Sequence, residues 1–196
     1  MLKCLNVKMK MGFTLIEMLV AIGIFAIMTV ALTGIFISAT QSQSHTLYTQ
    51  ELMSQSSYAL EYMGRILRMA KKDNSSGSCT GTAYANYNPV SGTGNTITFL
   101  DYNNKCHQFL LESERIKEKK STDHTSGNLG SAIEVTSSTV KINNLTFNVV
   151  GGSNTDNLQP KVTILIDAEA NTKKVDPVPK IKVQTTISQR HLDTQE

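Results

Sequence analysis

From Phe13 to Ala39 the chain is apolar or uncharged except for one residue, Glu17. As a helix, this run of about 27 residues extends about 40 Å, enough to cross a bilayer. It is too long for the apolar core of a cleaved secretory signal. The segment therefore confines the chain to a class: one anchor helix followed by whatever the remaining residues build. Glu17 then needs an account. A carboxylate in hydrocarbon costs several kcal/mol, so it is paired, snorkelling or functional.

Charge supports a membrane orientation. Lys3, Lys8 and Lys10 precede the run, with no acid among residues 1–12. Without those three lysines, the remaining Lys and Arg balance the 16 acidic residues. The basic excess thus belongs to the N-terminal leader, which the positive-inside rule keeps in the cytoplasm while the C-terminal bulk is exported. The balanced remainder gives no charge footprint for direct nucleic-acid binding.

Beyond the anchor, Leu52, Ala59, Met63, Ile66 and Ala70 recur at helical spacing, with Tyr62 and Met69 beside them. They form the apolar stripe of an amphipathic helix that packs on a sheet. No proline occurs from Phe13 to Asn88, so one long helix is expected, softened at Gly34 and stopped at Asn74-Ser75-Ser76-Gly77. After Gly77 the pattern becomes strand-like. Thr96–Leu100 and Lys105–Leu111 read as a hairpin. Ser131–Thr136 and Val140–Val150 read as strands, the second with Val140, Ile142, Phe147 and Val149 inward. Lys161–Asp167 and Lys180–Ser188 form the clearest pair, with Val162, Ile164 and Ile166 on one face. Residues Glu112–Gly130 read as a charged loop or irregular edge, with Glu112–Lys120 a solvated edge that blocks pairing. The expected fold class is α+β: a long N-terminal helix, transmembrane then amphipathic, packed on an antiparallel sheet. The segments are a leader at 1–12, a transmembrane helix at 13–39, its amphipathic continuation at 40–76 and an exported β-rich domain at 77–196.

Candidate chemistry is sparse. Cys4 lies in the leader, whereas Cys79 and Cys106 lie in the exported part, where a disulfide forms and persists. A Cys79–Cys106 bridge is expected, with two separately buried thiols as the alternative. His45, His107, His124 and His191 lack Cys or carboxylate partners at metal spacing and read as surface or structural residues. The stretch Asp101–Cys106 has Lys105 where an EF-hand needs a ligand and Cys106 where it needs glycine. Gly92-Thr93-Gly94 precedes a strand rather than a helix, and no nucleophile elbow is present. No metal or cofactor is expected.

The opening stretch Met11-Gly12-Phe13-Thr14-Leu15-Ile16-Glu17-Met18-Leu19-Val20 resembles the class III leader and N-terminal helix of type IV pilins and type II secretion pseudopilins. The closing Thr185-Thr186-Ile187-Ser188-Gln189-Arg190 resembles minor subunits of the J or W type. The resemblance implies cleavage between Gly12 and Phe13 by an inner-membrane prepilin peptidase and methylation of the new amine of Phe13. It implies that Glu17 forms an assembly salt bridge to the N-terminal amine of a neighbouring subunit. The implied partners are the peptidase, other pilin or pseudopilin subunits, an inner-membrane assembly platform and the membrane. The implied product is a single-pass inner-membrane protein with an exported domain, assembled into a pilus or pseudopilus, and not an enzyme. A competence pilus component, a surface adhesin, and an enzyme or binding domain on an uncleaved anchor are the alternatives.

Overall fold

The absence of proline lets one helix, α1 (Leu15–Arg68), run for 54 residues, continuous through Gly34. The structure is a computed structural model that describes residues 12–153 and 155–191. The leader lysines and Cys4 lie outside the described residues. Within the apolar part of α1, hydroxyls bond back to the preceding turn: Thr29 Oγ1 donates to the Phe25 carbonyl at 2.8 Å and Thr33 Oγ1 to Thr29 at 2.8 Å. These polar groups therefore need nothing from lipid. The chain divides into two compact units, parting between Ser44 and His45.

In the second unit, α1 buries Leu52, Ser56, Ala59, Met63, Gly64 and Leu67. Leu52, Ala59 and Met63 belong to the expected stripe. Leu67 and the small residues Ser56 and Gly64 complete it. The helix ends ahead of the Asn74–Gly77 stop because other elements capture its last carbonyls. Tyr87 Oη donates to the Leu67 carbonyl at 2.8 Å, the Arg190 N–H to Arg68 at 2.8 Å, and Gln189 Nε2 to Ala70 at 2.7 Å. Tertiary partners have overridden local propensity.

Two four-stranded antiparallel sheets replace the single sheet expected. One has the order β1 (Gly92–Gly94), β6 (Val140–Val150), β7 (Lys161–Ala170), β8 (Lys180–Ser188). The other has the order β2 (Thr96–Leu100), β3 (Cys106–Glu112), β4 (Arg115–Lys120), β5 (Ile133–Glu134). The β2–β3 hairpin and the β7–β8 pair stand as expected, with Thr96 opposite Leu110 and Val162 opposite Ile187. In β6, Val140 and Ile142 are buried, and so are Leu145, Phe147 and Val149. A period of two cannot put both sets inward. A register shift between Ile142 and Asn144 reconciles them. The two sheets and α1 share one core, in which Met63, Phe99, Phe109, Phe147 and Ile164 are fully buried.

The region read as a solvated, pairing-blocking edge is the main correction. Its residues 115–120 form β4, which pairs with β3 from His107↔Lys120 to Glu112↔Arg115 and with β5 at Lys117↔Glu134 and Glu118↔Ile133. Ile116 and Glu118 point inward, while the basic side chains at 115, 117 and 119 are partly exposed. The inward glutamate disguised the alternation as a charge run. The strand expected at Ser131–Thr136 contracts to Ile133–Glu134.

Candidate functional site

The start of α1 is built by Thr14 and Glu17. The Thr14 backbone N–H donates to Glu17 Oε2 at 3.0 Å, and Thr14 Oγ1 donates to the same oxygen at 2.9 Å. In return, the Glu17 N–H approaches Thr14 Oγ1 at 3.3 Å. This is a capping box: two orphan amides of the first turn are satisfied reciprocally. A negative charge also sits favourably at a helix N-terminus. The carboxylate that is costly in hydrocarbon is thus partly compensated within its own chain. The Thr-x-x-Glu spacing carries this signal in the sequence, beside the charge of Glu17.

Gly12 and Phe13 precede the box and are exposed, outside any regular element. Among the described residues, nothing lies within 4 Å of the position a Cβ on Gly12 would take, and Phe13 is 83% exposed. Behind them the apolar side chains of α1 are uncovered: Leu15 is 84% exposed, Phe25 71% and Val30 74%. The helix is long and apolar enough to cross a membrane by length and composition. Gly12, Phe13 and Glu17 therefore share one short, accessible segment at the head of the exposed apolar part of α1.

Cys79 and Cys106 are joined by a disulfide with a Cα–Cα distance of 5.5 Å. It ties the loop after α1 to the first residue of β3 and packs with Leu100. Asp73, missed in the sequence, holds the loop in place. Its buried carboxylate accepts the N–H groups of Cys79 at 3.0 Å and Thr80 at 2.7 Å.

Of the histidines, read as surface or structural residues, His107 is structural. It is buried and lies between two carboxylates, with Nδ1 2.6 Å from Glu118 Oε1 and Nε2 3.1 Å from Asp101 Oδ2. Tyr62 of α1 completes the cluster by donating to Glu118 Oε2 at 2.6 Å. Burial alone raises the Glu118 carboxyl, but the hydrogen bonds from His107 and Tyr62 outweigh it and hold the group below its ordinary range. Burial, reinforced by Glu118, pushes the Tyr62 phenol up, so it stays a donor. The Asp101 carboxylate is further occupied by the amides of Asn103 and Lys105, both at 2.8 Å. The cluster is a polar clamp between α1 and the β2–β5 sheet. Among the described residues, no group of three or more His, Cys, Asp or Glu side chains is placed to share a metal ion.

Compared with known proteins, residues 10–33 match the family model of the prokaryotic N-terminal methylation motif. No curated protein and no solved structure matches the chain.

Proposed function

We propose that this chain, which carries the methylation motif of type IV pilin and pseudopilin leaders over residues 10–33, is a structural subunit of a type IV pilus or a type II secretion pseudopilus. The observation that carries the reading is the head of α1: an accessible Gly12–Phe13 bond, then an exposed apolar stretch whose one charge, Glu17, is already capped. Prepilin peptidase hydrolyses the Gly12–Phe13 bond in the inner membrane, and methylation of the Phe13 amine follows. The cut spares the apolar helix, which anchors the subunit and later packs with the helices of other subunits on the assembly platform. The domain after α1 is exported, as the leader lysines direct.

Glu17 serves both stages. In the single subunit its Oε2 accepts both Thr14 donors. Among the described residues Oε1 accepts none, and it is the oxygen we assign to a neighbour's amine. A subunit in the wrong axial register leaves two charges unpaired in an apolar bundle, at about 3–5 kcal/mol. The role is that of a minor subunit that helps initiate or cap the fibre, a reading supported by the irregular exported domain and the closing Thr185–Arg190 segment. A deletion strain with normal fibre number and secretion overturns the minor role.

The test of the whole reading is the intact mass of the membrane-bound chain from cells with an active prepilin peptidase. A chain that begins at Phe13 and carries an added methyl group is expected. A chain that begins at Met1 overturns it and returns the anchored enzyme or binding domain to the front.

A further inference from the structure

Strand β8 is the last strand of its sheet and pairs only with β7 among the described residues. An antiparallel edge strand turns every second N–H and C=O away from its one partner. Lys180 and Lys182, at its start, are the charged residues that discourage further pairing. From Val183 to Ser188 no charge protects the edge. This open half borders a groove of about 620 Å³ between β8 and α1. Leu60, Gly64 and Ile187 supply its apolar floor, and Arg65, Arg68 and Arg190 stand around it, against the single acid Glu61. Gly64 lets Ile187 pack close against the helix at the bottom of the groove. A Cβ there would already lie 3.1 Å from Ile187 Cδ1.

A fifth strand laid against β8 would continue the sheet beneath α1. Its inward side chains would enter this groove, and its outward ones would join the exposed row of Gln184, Thr186 and Ser188. Three guanidinium groups against one carboxylate set the preferred charge of those inward side chains. We propose that the β8 edge and the α1 groove form a docking site for an extended, acidic segment of a partner polypeptide, bound by strand addition. The site lies wholly within the second compact unit and does not depend on processing at Gly12–Phe13.

The test uses the full chain in detergent micelles and end-blocked ten-residue peptides that alternate valine with glutamate or with lysine. The glutamate peptide is expected to bind and to shift the backbone amide resonances of Val183–Ser188 and Ser57–Met69. N-methylation of alternate peptide nitrogens is expected to abolish binding for the edge that faces β8 and to spare it for the other. The double variant Arg68→Glu with Arg190→Glu is expected to weaken the glutamate peptide about tenfold. Both side chains are exposed, and unchanged amide resonances elsewhere check that the fold is kept. Equal binding of the two peptides, binding insensitive to N-methylation on either edge, or no binding overturns the proposal. Self-association of the chain through β8 assigns the edge to a second copy and overturns it as well.

Discussion

Glu118 shows what a single inward charge can do when its neighbours are in place. It accepts from Tyr62 and faces His107, so it links α1, β3 and β4. Replacing Glu118 by Ala leaves the Tyr62 hydroxyl and a His107 nitrogen unpartnered. The variant is expected to lose about 3 kcal/mol in urea denaturation. The pH dependence follows from the depressed carboxyl. Its folded value lies below its ordinary 4.5, so its contribution is complete above that value and is lost as the pH falls through the folded one. The stability gap between the wild-type chain and Glu118→Gln should therefore be largest near neutrality and should narrow as the pH falls below the ordinary carboxylate value. None of this was legible in sequence, because Asp101, His107 and Glu118 meet only once β2, β3 and β4 are laid side by side. Glu17 is the opposite case, since its partner Thr14 is three residues away and the pattern is local. Thr14→Val removes the cap but keeps the charge, whereas Glu17→Gln keeps much of the cap and removes the charge. On the proposed role, Thr14→Val lowers fibre yield modestly and Glu17→Gln abolishes assembly, as counted by electron microscopy of sheared fibres.

At the scale of elements, local pattern set most of the fold. The helix was readable from the missing prolines and the apolar stripe. The strands β2, β3, β7 and β8 were readable from β-branched alternation. Where the reading failed, a long-range contact had overruled a local rule. The helix end yielded to Tyr87, Gln189 and Arg190, and β4 was hidden by Glu118. The bulge in β6 was implicit in the inward set Val140, Ile142, Phe147 and Val149, whose parity changes midway. The disulfide was anticipated from compartment rather than geometry. It closes a separation of 27 residues, so the double variant Cys79→Ala with Cys106→Ala should lose about 2–4 kcal/mol, read as a lower denaturation midpoint. Reductant should lower the wild-type midpoint and leave that of the variant unchanged. Met63 is fully buried where α1 meets the sheets. Met63→Ala is expected to cost about 2–5 kcal/mol by the same assay.

The whole molecule joins two parts with opposite demands. Among the described residues, the apolar side chains of the first unit lie exposed, and the second unit carries the shared core of α1 and both sheets. The full chain is therefore expected to sediment with membranes and to need detergent, while residues 45–196 alone should be soluble and unfold cooperatively. A fragment that aggregates as the full chain does would show that the core reaches beyond His45. In sequence the uncharged run gives way to a striped helix at 39–40, whereas the compact units part between Ser44 and His45. What covers the first unit in the cell was not legible, because bare apolar surface accepts lipid and protein helices alike. The cross-link between Cys79 and Cys106 has one more use. A reducing cytosol withholds that bond and an oxidising compartment installs it. If the domain is exported as proposed, the bond works as a postmark: alkylation in intact cells, followed by a gel without reductant, sorts every copy into posted and unposted, and timing the change after a pulse of synthesis gives the rate of delivery.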